Sequence, residues 1–359
     1  MNVSSANMAG VVTPLRAPAA SAPLASIVLI TYNHAPYIRR SIEGMLEQKT
    51  SFPFELIIGE DCSTDGTREI VFEYQRTHPE VVRVITSEKN VGACENVRRC
   101  EQSCRGEYIC YCDGDDYWTA PNKLERQVGF LQAHPDYAMV HTAFQMFYVE
   151  SGKLVPQPLR LSEDLNDADA FNELLSGRRH VWPLTVCIRR SVLEPILREC
   201  PECYDPRFLM GDTQRWLEIA HRGKIKYFPE VMATRSALLE SASQSKNPDR
   251  VLQFAISNKD VFDHYIDKYG CSPEAKKGAK TRCAFYLLTS AYKAGNVQIA
   301  KAALDEYRMV GARIPLQASL YYFGSRSALS AKLVRPVVAT LGLGEKVVRR
   351  VTRLFKSEC

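Results

Sequence analysis

GEYICYCDGDDYWTAPNKLERQ, residues 106–127, decides how this chain folds. Residues 107–112 are an apolar, β-prone run, and three acids follow at once: Asp113, Asp115 and Asp116, with Gly114 between the first two. Pro121 then opens a helical run to 133, where its missing N–H costs little. In open α/β sheets, ligands gather at the carboxyl ends of strands. Carboxylate oxygens there suit hard divalent cations such as Mg2+ or Mn2+. Gly114 lets the backbone bend tightly enough to aim Asp113 and Asp115 at one site. An isolated D-x-D is also what an ordinary acidic turn looks like; its place after the fourth strand of an alternating series favours ligand binding.

That series runs upstream. Short apolar strands are expected at 26–30, 54–59 and 81–86, with helices at 35–48, 65–77 and 92–103 between them. Ser63 or Thr64 is available to cap the second helix. Strands that alternate with helices predict a mostly parallel sheet flanked by helices on both faces. Downstream, the spacing predicts strands at 137–149, 184–188 and 224–228, the last ending before Pro229, and helices at 167–176 and 212–220. The α/β domain thus spans 26–240. Residues 1–25 read as a flexible tail and 241–250, rich in Ser, as a loop or linker. Residues 251–359 read as a helical C-terminal region: apolar residues recur at helical spacing over 251–269, 273–294 and 297–309, with a turn at Gly295-Asn296. Two more helices are expected over 328–355, broken near Gly342 and Gly344.

Composition narrows the class. Hydrophobic residues make up 45% and charged residues 24% of 359, ordinary for a globular chain with a real core. A net charge of +5, without a recognition module, argues against nucleic acid. Among the 12 cysteines, the pairs Cys100/Cys104 and Cys110/Cys112 lack the C-x2-C zinc spacing, and Cys110 and Cys112 point the same way in a strand, so buried thiols are expected. Neither a signal peptide nor an 18-residue apolar run is apparent, which points to the cytoplasm, with attachment at the inner face of the cell membrane as an option.

Two further strand ends carry chemistry. Asp61, after the second strand, could accept the ring N–H of a pyrimidine; Asp65 could do the same or cap the next helix. Thr31, after the first, could line a nucleotide pocket, whereas His34 reads as loop surface.

Taken in order, SIVLITYNHAPYI (26–38), ELIIGEDCSTDGT (55–67), NVG (90–92), GEYICYCDGDDYWTAPNKLERQ (106–127) and RFLMGDTQRWLEIAHRGKIKYFPEVMATR (207–235) resemble the family 2 glycosyltransferases, whose fold is called GT-A. The resemblance implies a donor half at 26–120 and an acceptor half at 121–240. It implies an inverting, metal-dependent hexosyltransferase using a nucleotide-diphosphate sugar, UDP favoured, with Mn2+ or Mg2+. Thr31 and Asp61 would hold the base and ribose, and Asn96 would border the donor. Asp115 would contact the metal, and Asp113 the ribose or the metal. Asp212 would be the general base, and Arg235 would neutralise phosphate. Glu60 stands where relatives often carry Asp. Where relatives have Tyr-Arg and then a His, this chain has Thr234-Arg235 and no histidine between His221 and His264.

The acceptor would be a glycan or lipid-linked hydroxyl met by residues 141–190, with His141, His180 and Trp182 as candidates, in bacterial surface polysaccharide or lipopolysaccharide synthesis. Trp118 could wall the donor pocket, and loop 236–247 could close over it. Val347, Val348, Val351, Leu354 and Phe355 opposite Arg349, Arg350 and Arg353 make an anionic membrane surface a candidate partner through 331–355, beside packing on the core or a protein. Two rival readings stand: a sugar-nucleotide pyrophosphorylase, although the first strand end lacks a glycine-rich phosphate turn, and a non-catalytic carbohydrate-binding or scaffold protein.

Overall fold

A computed structural model of the chain describes residues 22–156, 165–238, 247–327 and 329–339. Most of the expected tail, most of the 236–247 loop and the basic run beyond 339 lie outside the described residues. Strands β1 (Ala25–Thr31), β2 (Phe54–Glu60), β3 (Val82–Thr86) and β4 (Tyr108–Asp113) alternate with helices α1 (Ile38–Leu46), α2 (Thr67–Thr77) and α3 (Ala93–Ser103). The four strands are parallel, in the order β3-β2-β1-β4. Their residues alternate between two cores. Ile27, Leu29, Leu56, Ile58, Cys110 and Cys112 pack with Ile38, Ile42 and Met45 of α1 and Val71 of α2. Val28, Ile57, Ile109 and Tyr111 pack with Val97 and Cys100 of α3. Both faces are covered, which is why these strands read as continuous apolar runs. Winding proceeds one way through α1 and α2, and α3 then carries the chain back across β1 to β4. The direction reverses between β1 and β4, the position at which α/β sheets open a crevice.

After β4 come β5 (Tyr117–Trp118), α4 (Lys123–Ala133), β6 (Tyr137–Tyr148), β7 (Lys153–Pro156), α5 (Ala170–Ser176), β8 (Cys187–Arg189), α6 (Arg190–Glu199), α7 (Thr213–Arg222) and β9 (Lys224–Ala237). Here the sheet is mixed. β8 is antiparallel to both β4 and β6, β6 runs parallel to β9, and β5 pairs antiparallel with β9. The sheet is therefore parallel in its first half only.

Several boundaries differ from the expectations. Pro229 does not end the last strand: Phe228 pairs with Thr142 and Val231 with Ala143, so Pro229 and Glu230 bulge out where no N–H is needed, and β9 runs on to Ala237. The strand expected at 184–188 is a 3-10 turn over Pro183–Thr185 followed by β8. Helix α6 escapes a sequence reading because Pro195 sits inside it. Helices α1 and α4 start two residues after Pro36 and Pro121.

The C-terminal region is helical: α8 (Pro248–Tyr269), α9 (Pro273–Ala294), α10 (Val297–Met309), α11 (Leu316–Ser325) and a last helix over 329–339. Side chains of Asn247, Ser272 and Asn296 cap the first three. Residues 248–250, expected as linker, are the first turn of α8. Val261, Phe262 and Tyr265 of α8 and Ala275, Ala279 and Cys283 of α9 share one core with Trp216, Leu217 and Ile219 of α7.

Electrostatics reinforces that seam. Buried Glu218 of α7 accepts from Lys268 Nζ at 2.7 Å and from Tyr269 OH at 2.9 Å, both on α8, and from Arg222. Lys268 also reaches Glu202. Cys200, Glu202 and Glu218 lie close enough together to ligate a metal, but the Lys268 ammonium already serves both carboxylates. These donors pull the Glu218 carboxyl down to about 2 against the cost of its burial. A carboxyl depressed in the folded state contributes stability above its unfolded value, and loses it as pH falls through the folded one. We therefore expect Glu218→Gln to be less stable than wild type near neutral pH, and the two stability curves to converge between about pH 4.5 and about 2, in thermal melts followed by circular dichroism.

Candidate active site

The crevice rim is built from the loops that follow β1 and β2, and these are tied to each other. Asn33 N donates to Ser63 Oγ at 3.0 Å, Thr64 N to Asn33 Oδ1 at 2.9 Å, His34 N to Thr67 Oγ1 at 2.8 Å and Ala35 N to Asp65 Oδ2 at 2.9 Å. Asp65 also accepts from Thr67 N, so it organises the start of α2 in the place expected of Ser63 or Thr64. Asn33 and Cys62 both hold positive φ without being glycine, at 54° and 62°. Backbone strain of this kind collects at ligand-binding loops. Buried Glu60 holds the same rim from below, accepting from Ser63 N and Thr86 Oγ1.

Against this rim stands the acidic turn. β1 and β4 are in register with Ile30 beside Asp113, and Gly114 N donates to Ile30 O at 2.9 Å, which sets Asp113 and Asp115 next to the end of β1. A Cβ on Gly114 would come within 2.6 Å of Thr31 Oγ1 and 2.8 Å of His34 Nδ1. Glycine is needed here for room rather than for a left-handed turn. Thr31 is buried and meets His34 Nδ1 at 3.3 Å. His34, which reads as loop surface, is thus packed into the site. Burial pushes its imidazole pKa down, opposed by the charges of Asp115 and Asp65.

Asp113, Asp115 and Asp116 bring one carboxylate oxygen each to within 4.8 Å of one another. Burial first, then the charges of Asp115 and Asp212, push the Asp113 carboxyl up to about 7, while Arg235 pulls the other way. Asp113 therefore lies in the field of the other sequence-predicted acids and of Arg235. An all-oxygen donor set with excess negative charge in a half-buried place fits a hard divalent cation. Asp116 is partly committed elsewhere. Its Oδ1 accepts from Ser236 N at 2.8 Å, and Ser236 Oγ donates to Asp115 O at 2.5 Å. With Tyr117 opposite Thr234, this clasp fixes the end of β9, and with it Arg235, against the turn.

Asp212 stands at the N-cap position of α7, yet its side chain makes no cap hydrogen bond. Burial raises its pKa, while backbone N–H groups at Asp212 and Thr213 and the charge of Arg215 favour the ionised form; burial prevails. Gly211 has open space beside it, so it does not serve a close approach.

Other expected site residues have different surroundings. Asp61 is buried, and its two oxygens accept from Val91 N at 2.8 Å, Gly92 N at 2.9 Å and Ser87 Oγ at 3.2 Å, so it holds the segment that leads into α3. Asn96 is buried, not a surface residue: Nδ2 donates to Gly59 O at 2.8 Å and Oδ1 accepts from Arg99, bracing α3 on β2. His141 is interior, against Arg179 Nη1 at 3.2 Å. His180 and Trp182 have neighbouring, partly exposed rings 5.7 Å apart. Trp118 is buried with Lys123 Nζ 4.0 Å from its ring centre, a core residue rather than a pocket wall. The described cysteines are free thiols, most of them buried.

Comparison with known proteins follows the same lines. The family model described as glycosyl transferase family 2 matches residues 26–197. An uncharacterized protein of Mycobacterium tuberculosis is 35% identical over 211 residues, 58% of this chain and 57% of its own length. The chain thus spans little more than half of that relative. TuaG of Bacillus subtilis, named provisionally a teichuronic acid biosynthesis glycosyltransferase, is 29% identical over 226 residues, 62% of this chain and 83% of its own. The mannosyltransferase PcManGT of Pyrobaculum calidifontis, solved with GDP-Man and Mn2+, shares the fold with a TM-score of 0.53 at 19% identity, covering 90% of this chain and 85% of that one. The ordered strand-end motifs, the winding reversal between β1 and β4 and these matches have one conclusion: residues 26–197 of the chain are a glycosyl transferase family 2 domain.

Proposed function

We propose that this protein transfers a hexosyl group from a nucleotide-diphosphate sugar, a UDP-sugar by preference, to a hydroxyl of a glycan or lipid-linked acceptor, with inversion, in the synthesis of a surface polysaccharide. The observation that carries the reading is the cluster of carboxylate oxygens of Asp113, Asp115 and Asp116 within 4.8 Å of one another, with Asp212 and Arg235 near enough to act on Asp113. The relative named for teichuronic acid synthesis and the fold neighbour bound to a sugar nucleotide and Mn2+ support it.

In this mechanism the donor lies along the carboxyl ends of β1, β2 and β4, over Thr31 and the segment that Asp61 holds. A divalent cation held by Asp115 and Asp113 would neutralise charge on the departing diphosphate. Arg235, fixed by the clasp at Ser236, offers a second positive charge to the same phosphates. Asp212 accepts the proton of the acceptor hydroxyl as that oxygen bonds to the anomeric carbon. The bond from this carbon to the phosphate oxygen breaks on the opposite side, and its electron pair leaves with the diphosphate. A carboxylate whose pKa is raised by burial is a better base than a solvated one, provided it is ionised when the acceptor arrives.

Three outcomes test this. In an anomer-resolved transfer assay over a panel of nucleotide sugars, Asp212→Asn should bind donor normally and lose transfer by a factor of roughly a hundred or more; undiminished transfer would reject the base assignment. Asp115→Asn should weaken Mn2+ binding, read by paramagnetic resonance without any turnover, by at least the roughly 10- to 100-fold seen for outer-shell partners. Asp116→Asn, which can still accept from the Ser236 amide, should keep most transfer, whereas Asp116→Ala should raise the donor KM by about tenfold at unchanged fold; equal loss in both would make Asp116 a charge contributor rather than a positioning residue.

A further inference from the structure

Among the described residues, twelve large apolar side chains are well exposed, and six of them fall between Met309 and Val337. Leu329, Leu333 and Val337 recur every four residues, so they form one stripe along the last helix, with Leu329 70% and Leu333 60% exposed. The neighbouring stripe is the packed one: Val334 is buried, and it lies 3.4 Å from where a Cβ on Gly324 of α11 would stand. Tyr292 OH of α9 donates to Ala331 O at 3.4 Å. The helix is therefore docked on α9 and α11 through one side, with its leucine stripe turned away. On α11, Leu316 and Phe323 are seven residues apart, again on one side, and both are exposed.

Charge distinguishes this surface from an ordinary apolar patch. From residue 307 to 344 the chain has no Asp or Glu, while Arg308, Arg313, Arg326, Lys332 and Arg335 are present. Of these, Arg308 pairs with Asp305. The sequence that follows adds Lys346, Arg349, Arg350, Arg353 and Lys356 against two glutamates. A region that combines exposed leucine with cations and excludes acids matches an anionic bilayer, which gives apolar side chains a non-aqueous layer and draws Lys and Arg to its phosphates. A second copy of this chain would bring the same positive charge against itself, which disfavours a dimer through this face. No helix among the described residues is long and apolar enough to cross a membrane, so contact would be with the surface.

We infer that α11 and the 329–339 helix form a docking surface for an anionic lipid bilayer. It begins well before the 331–355 segment that the sequence singles out and includes α11. The inference deepens the proposed function, by placing a lipid-linked acceptor within reach, but its test requires no sugar transfer and so stands or falls separately. The full-length protein is sedimented with vesicles of phosphatidylcholine alone and with vesicles of equal parts phosphatidylcholine and phosphatidylglycerol. Wild type should pellet with the anionic vesicles and stay in solution with the neutral ones, and added salt should release it. Leu329→Ser with Leu333→Ser should weaken anionic binding by about tenfold or more, and Lys332→Glu with Arg335→Glu should do likewise. All variants should keep the wild-type melting temperature, because the altered side chains face away from the packed stripe. Wild type that fails to pellet with anionic vesicles would overturn the inference. So would light scattering that shows a dimer lost in the leucine variant, which would make the stripe a contact between copies, or equal binding to neutral vesicles.

Discussion

Negative charge gathered at one half-buried strand end is the constraint on which the rest of this structure turns. β4 is covered by helices on both faces, and its last residue, Asp113, is followed at once by Asp115 and Asp116. Burial, then the charges of the neighbouring acids, raises the pKa of Asp113 and of Asp116. Arg235 supplies part of the compensation from another strand more than a hundred residues away. The remainder is negative charge that a divalent cation bound there would offset.

The surrounding structure keeps that arrangement in place. The β1 and β2 loops are joined by four cross-loop hydrogen bonds, so the rim opposite the acids is one unit rather than two flexible turns. Gly114 leaves room for Thr31 and His34 to close on the acidic turn. Asp61 and Asn96 act as braces under the crevice, one on the 87–92 segment and one on α3. These are positioning roles, and they are compatible with the donor contacts assigned to the same region, since a ligand would meet the backbone that these residues hold.

Helix α7 serves two purposes. Asp212 stands at its N-cap position, and its far end carries Glu218, which binds α8 through Lys268 and Tyr269. The shared core of α7, α8 and α9 gives Asp212, the proposed base, a rigid support, and rigid support is what holding two substrates in attack geometry requires. The same helical region extends to the apolar, acid-free surface over 309–337. A chain with this layout presents its acceptor-side helices and its proposed membrane contact as parts of one packed unit.

Local sequence determined a good deal. Apolar runs with strand length, polar-faced helices between them and the acids after the fourth strand specified the βα series and placed Asp113 and Asp115 at its fourth strand end, because side-chain periodicity and turn chemistry act over a few residues. The helix turn at Gly295-Asn296 was legible for the same reason. What required tertiary structure was everything set by distant partners. Pro229 signals a strand end locally, yet β9 continues past it because β6 supplies the ladder and the bulge absorbs the missing donor. Pro195 signals a break, yet α6 persists through packing of Leu193 and Ile196. His34 reads as loop surface until Gly114 is brought beneath it, and His141 as an acceptor contact until Arg179 is found beside it in the interior. Asp212 is indistinguishable from a helix cap until its field is seen at Asp113. Sequence alone determined which residues could be charged and where the first four strands lie; only the fold decided which charges share a low-dielectric space, because electrostatic coupling depends on distance through space and not along the chain.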